Sequence, residues 1–214
     1  FKPVPQAMQD NGWVGPEARW VAKDRAGKTL GLVGVGRIGR SMARMAGAFR
    51  MRVLGFDPHV SDMPAEPILD LGAMLDECDF VSVHCVLNAE TRGLIGDAEL
   101  RRMKQSAYLV NVSRGEIVDE KALVCALQER RIAGAALDVY GQEPLAKSGH
   151  ALSALYPMDN VLVWPHLTFF TQEAMQRLEE QTLERCSEAL EGRLLTVKSQ
   201  DPRLRAQRCG VRFE

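Results

Sequence analysis

Short, almost uninterrupted apolar runs punctuate the centre of the chain, at residues 29–35, 51–56, 80–84, 107–112, 133–139 and 161–164. A strand wetted on one face alternates polar with apolar residues. These runs do not, and so predict strands buried on both faces of a parallel sheet. Between them, residues 37–49, 68–77, 97–103 and 119–130 carry helical patterns. Asp119 reads as the N-cap of the last helix, and Arg130 and Arg131 suit the partial negative charge at its C-terminal end. Repeated strand–helix–strand units predict a doubly wound α/β fold with helices on both faces of a parallel sheet.

The flanks break this rhythm. Residues 1–24 hold Pro3, Pro5, Gly12, Gly15 and Pro16 and read as a linker or hinge remnant ahead of the first strand. Residues 25–170 make up the α/β domain. Residues 171–214 begin with one long helix, apolar at Met175, Leu178, Leu183, Cys186 and Leu190, with Gly192 as its stop. The tail beyond it, residues 193–214, has six basic residues against two acidic ones and no clear period. It reads as a solvated end or a phosphate-binding tail.

Composition narrows the classes. The 214 residues carry 27 Lys and Arg against 28 Asp and Glu, which offers no electrostatic footprint for nucleic acid or an anionic membrane. No apolar run reaches the ~18–20 residues of a membrane span, and the polar, Pro-broken start is no signal peptide. Five cysteines (78, 85, 125, 186 and 209) form no CxxC pair, so neither a disulfide framework nor a metal site is expected. A reducing, cytoplasmic setting fits. The chain begins at Phe1 instead of Met, from which we expect a further segment upstream.

Gly34-Val35-Gly36-Arg37-Ile38-Gly39 matches G-x-G-x-x-G. Among 18 glycines the pattern alone is weak, and a merely structural turn is the other reading. Its context strengthens it, because it leaves the first strand and opens a helix, as a Rossmann-like dinucleotide site requires. Gly34 permits the turn, Gly36 admits a pyrophosphate, and Gly39 lets helix and strand pack closely. The amides of Arg37 and Ile38 then meet the phosphates at a helix N-terminus. Asp57 follows 18 residues after Gly39, at the end of the second strand. There it reads as a ribose ligand favouring NAD over NADP, or as a plain turn start before Pro58. His59 is close enough to soften that preference.

Three further segments leave strands: Asn111 to Glu116, Ala136 to Pro144, and Trp164-Pro165-His166. Ligands of open parallel sheets bind beyond the carboxyl ends of strands, so Arg114, Glu143 and His166 can converge there. Singly, each has another reading: a loop charge, a solvated turn and a packed cap.

These residues carry a resemblance. Residues 13–174 resemble the D-isomer-specific 2-hydroxyacid dehydrogenase family in Ala26 to Gly31, the Gly34 to Gly39 turn, Val83-His84, Thr91, Arg114-Gly115, Asp138, Glu143-Pro144 and Pro165-His166. The resemblance implies an NAD-dependent oxidoreductase of small 2-hydroxy and 2-keto acids, with Arg114, Glu143 and His166 as its catalytic set. It further implies that Cys85, Thr91, Val112, Ser113, Arg114, Asp138 and His166 line the cofactor site, and that the protein is a homodimer. His166 would be the general acid and base, since an unperturbed imidazole titrates at ~6.5. Glu143 would orient its ring and favour imidazolium. Arg114 would hold the substrate carboxylate in a fork and polarise the keto oxygen.

Three features depart from the family's commonest pattern. Val86 stands where Pro is usual. Leu167, Phe169 and Phe170 bring bulk after His166, so the two phenylalanines line a substrate pocket or pack on the next helix. The stretch before the first strand is far shorter than the family's N-terminal one, so most of a substrate-binding domain is expected to be missing. Such a chain alone would bind NAD weakly and turn over little. An NAD(H)-sensing scaffold on the same fold, like the related corepressors, is the alternative.

Overall fold

The computed structural model describes residues 9–10, 24–193, 195–197 and 211–213. Most of the predicted linker and most of the basic tail, Cys209 included, lie outside the described residues. Among those described, β1 (Thr29–Val33), β2 (Arg52–Phe56), β3 (Glu66–Pro67), β4 (Phe80–Val83), β5 (Tyr108–Asn111), β6 (Gly134–Leu137) and β7 (Val161–Val163) form one sheet. Its order is β3-β2-β1-β4-β5-β6-β7 and every pair in it is parallel. A separate parallel pair joins β8 (Leu195–Val197) to β9 (Val211–Phe213).

The expected doubly wound sheet is therefore present, with one strand more than the apolar runs indicate. β3 escapes notice because it is two exposed residues at the sheet edge, with Pro67 among them. A proline without an N–H is tolerated there and carries no hydrophobic signal.

Both faces of β1 are covered. Leu30 and Leu32 of β1 pack with Ala43 and Ala46 of α1 (Arg37–Ala48), whereas Val33 belongs to the larger cluster on the other side. That cluster takes in Met74 and Leu75 of α2 (Leu71–Glu77), Leu100 of α3 (Asp97–Arg102) and Leu123 and Leu127 of α4 (Glu120–Gln128). Leu152 and Leu155 add to it from a short 3-10 turn over Ala151–Leu155 that no sequence period signals.

Capping obeys the expected chemistry. Asp119 accepts from the amides of Lys121 and Ala122 at 2.9 and 3.1 Å, and Thr171 accepts from Ala174 at 3.1 Å to start α5 (Gln172–Leu190). Gly192 closes α5 with a left-handed φ of 68°. Arg131 does more than face the end of α4, since its guanidinium also bridges to Asp97 of α3 at 2.8 Å. The apolar positions of α5 are not core, for Leu178, Leu183 and Leu190 all stand exposed.

The strand order reverses direction between β1 and β4. Ligands of open parallel sheets bind at such a switch point, beyond the carboxyl ends of the strands, and the glycine turn after β1 stands there.

Candidate active site

Backbone geometry shapes the glycine turn first. Gly34 has φ 93°, and a Cβ on it would stand 2.4 Å from the amide nitrogen of Cys85. A Cβ on Gly39 would meet the Gly34 carbonyl oxygen at 2.3 Å. These two glycines are demanded by the protein's own packing. Gly36 is not, since a Cβ there meets nothing within 4 Å. Its missing side chain leaves open space in front of the helix start, as a pyrophosphate needs. The first bond of α1 runs from the amide of Arg40 to the carbonyl of Gly36 (2.9 Å), so the amides of Arg37, Ile38 and Gly39 face out of the helix end. The residues present thus fit a dinucleotide.

Asp57 stands at the end of β2, where a ribose ligand belongs, and it also has a structural task. Oδ2 accepts from the amide of Val35 at 2.8 Å and Oδ1 from that of His59 at 2.9 Å. It pins the glycine turn to β2, and each oxygen keeps a second lone pair for a hydroxyl. The His59 ring turns away to Glu90, 3.6 Å distant.

Two cofactor-lining candidates, Cys85 and Ser113, meet across neighbouring strand ends. The Ser113 hydroxyl donates to the Cys85 carbonyl. Burial pushes the Cys85 thiol up to about 11, so it stays protonated. The Thr91 hydroxyl is engaged inside its own loop, donating to the Val86 carbonyl at 2.6 Å and accepting from the Asn88 amide at 2.9 Å. His84, one residue past β4, is half-buried with Nε2 2.9 Å from Ser82 Oγ, and burial lowers its pKa. Val112 and Asp138 border a cavity of about 300 Å³ along with Ala136, Leu162, Trp164 and Thr168.

The three proposed catalytic residues leave β5, β6 and β7 on adjacent loops. Buried Asn111 shapes the first, donating from Nδ2 to the Arg114 carbonyl at 2.9 Å while its Oδ1 accepts from Ser113 at 3.1 Å. The Arg114 guanidinium is exposed and folds back on the Ser113 carbonyl at 2.6 Å. Next to it, Gly115 lies so close to the following loop that a Cβ would sit 1.9 Å from the Tyr140 carbonyl carbon. No side chain fits there.

Glu143 and His166 meet directly. His166 Nδ1 lies 2.7 Å from Glu143 Oε2, and Glu143 Oε1 accepts from the Tyr140 amide at 2.9 Å. Burial raises the Glu143 pKa, but the bonds from His166 and Tyr140 and the charge of Arg114 outweigh it. The carboxyl is held below the usual carboxylate range. The pair opens on a cavity of about 590 Å³ walled by Leu145, Tyr156, Val163 and Trp164. The Phe169 ring stands edge-on to His166 at 6.1 Å, and Phe170 edge-on to Phe169 at 6.0 Å, both half-exposed.

His166 itself has a left-handed φ of 54°, uncommon outside glycine. Asp138 fixes the two residues after it. The Asp138 carboxylate, almost fully buried, accepts from the amides of Leu167 (2.9 Å) and Thr168 (3.1 Å) and from the Thr168 hydroxyl (2.6 Å). That clamp on the histidine turn is not visible in the sequence, because its partners lie about thirty residues apart.

The family model for the D-isomer specific 2-hydroxyacid dehydrogenase NAD binding domain matches residues 1–168. The chain belongs to that family. As its NAD-binding domain, it is 44% identical over 165 residues to a glyoxylate reductase of Korarchaeum cryptofilum, covering 75% of this chain and 48% of the relative. It is 38% identical over 200 residues to a D-3-phosphoglycerate dehydrogenase of Rattus norvegicus, covering 90% of this chain and 36% of the relative. Among solved structures, D-lactate dehydrogenase from Aquifex aeolicus complexed with NAD and lactic acid matches with a TM-score of 0.82 at 27% identity. That match covers 89% of this chain and 61% of the other. The chain spans about half the length, or less, of these curated relatives. Among the described residues no cluster suits a metal ion and no helix is long and apolar enough to cross a membrane.

Proposed function

We propose that the protein carrying this domain interconverts a small 2-hydroxy acid and its 2-keto acid, with His166 as general acid and base. The observation that carries this reading is the 2.7 Å pair of His166 Nδ1 and Glu143 Oε2, at the same carboxyl edge of the parallel sheet as the glycine turn. Bound NAD(H) supplies or takes up the hydride. The backbone of Gly34, Gly36, Arg37, Ile38 and Gly39 would hold its pyrophosphate, Asp57 its ribose, and Cys85, Thr91, Val112, Ser113 and Asp138 would border the rest.

Because Nδ1 is committed to Glu143, Nε2 is the nitrogen that exchanges a proton with substrate. In reduction it protonates the keto oxygen, and in oxidation it takes the hydroxyl proton. Glu143, kept ionised, steadies the positive ring that oxidation leaves behind. Arg114 swings from its resting contact to grip the substrate carboxylate in a fork and polarise the keto oxygen. Phe169, edge-on to His166, would border the substrate side chain.

A cytoplasmic homodimer belongs to the same reading. It is tested by reducing a panel of 2-keto acids with NADH, using the full natural chain, and by measuring its mass in solution. Reduction of at least one acid is expected. NADH binding without any reduction would overturn it in favour of an NAD(H)-sensing scaffold.

A further inference from the structure

We propose that Tyr140 is a positioning residue that sets the Glu143–His166 pair in register, an inference resting on the reading of that pair as the acid–base machinery. Three strand-exit loops meet at this one residue. Its backbone N–H donates to Glu143 Oε1 at 2.9 Å. Its hydroxyl donates to the Trp164 carbonyl at 2.7 Å, with the Leu137 carbonyl further off at 3.2 Å. Its own peptide is the surface against which Gly115, next to Arg114, packs without room for a Cβ.

The Trp164 carbonyl is the telling partner. It also accepts the amide of His166, at 3.1 Å. The phenol therefore grips the same oxygen that anchors the backbone of His166, while the amide of the same tyrosine anchors the carboxylate facing the ring. One residue spans both halves of the pair, its backbone amide on Glu143 and its phenol on the anchor of His166. A phenylalanine would fill the same volume and leave the Trp164 carbonyl without its second donor.

The phenol is suited to a fixed donor role. Tyr140 is buried with 8% exposure, and burial above all pushes its pKa up to about 12. It stays neutral through the working pH range and takes no part in the proton transfer. Its effect must come through geometry.

The test is Tyr140→Phe in the full natural chain. Normal folding and NADH affinity are expected, with kcat for keto-acid reduction falling about tenfold and KM moving less than about twofold, as a small misplacement of an acid would cause. The imidazole Nδ1–H resonance of His166 should weaken through faster exchange. In a Glu143→Gln background the same change should cost less than about twofold in kcat, because the pair it serves is already lost. An equal loss in both backgrounds, or an unchanged kcat and resonance, overturns the proposal. If Tyr140→Phe does not fold, 3-fluorotyrosine at position 140 keeps the shape and alters the donor, and an unperturbed His166 resonance then overturns it. A wild-type chain that reduces no keto acid refutes the activity, and the resonance comparison still decides the role of Tyr140.

Discussion

His166 Nδ1 and Glu143 Oε2 lie 2.7 Å apart although 23 residues separate them in the chain. If the pair is the acid–base machinery proposed above, the carboxylate is what orients the ring. Glu143→Gln should therefore lower kcat by about a hundredfold while leaving NADH binding intact, as measured by absorbance assays and NADH fluorescence.

The same pair sets a pH dependence. The folded carboxyl of Glu143 sits below its ordinary value. Its contribution to stability is thus fully present above the ordinary carboxylate range and is lost as pH falls through the depressed folded value. Thermal melts at descending pH should show wild type losing stability faster than Glu143→Gln, and parallel curves would contradict the assignment.

Arg114 rests on the Ser113 carbonyl with its guanidinium exposed, ready for a planar anion. Arg114→Lys keeps the charge and loses the fork. A raised KM for the keto acid together with a lowered kcat is expected from steady-state kinetics.

Asp57 serves two masters, since its carboxylate also accepts the amide of Val35 in the glycine turn. Asp57→Arg should shift preference toward NADPH by removing the negative charge that opposes a 2′-phosphate. It should also weaken binding of both cofactors, because the Val35 amide loses its partner. Titration of each variant with NADH and NADPH reads both effects, and an unchanged ratio would remove Asp57 from the ribose site.

Asp138 receives three donors from the turn after His166. Asp138→Asn would set an amide N–H₂ against one or more of them, costing about 1–3 kcal/mol of stability. The left-handed turn at His166 should loosen, so kcat should fall along with the melting temperature. A variant with lowered stability and full kcat would limit Asp138 to a structural task.

Much of the fold and the site was legible in the order of residues. Gly34, Gly36 and Gly39 announced a phosphate turn because a strand precedes them and a helix comes after, and the contrast between crowded Gly34 and open Gly36 is the physical content of that spacing. Asp119 announced a helix start because capping is local. β3 and the 3-10 turn over Ala151–Leu155 gave no such notice, being too short for any hydrophobic period.

Burial could not be read from α5. Its apolar positions imply a packed face, yet Leu178, Leu183 and Leu190 are exposed, because amphipathicity states what a helix can bury and not whether a partner is there.

The sequence by itself determined the parallel sheet, the glycine turn and the three candidate side chains at strand ends, since each rests on local chemistry within a few positions of the chain. Only the tertiary structure decided that Glu143 reaches Nδ1 of His166, that Asp138 clamps the histidine turn, and that the Tyr140 hydroxyl reaches the Trp164 carbonyl. Those bonds join atoms some twenty to thirty residues apart, several of them backbone groups that every residue possesses. Their meeting is set by how the strand ends stack side by side, and no residue pattern along the chain records it.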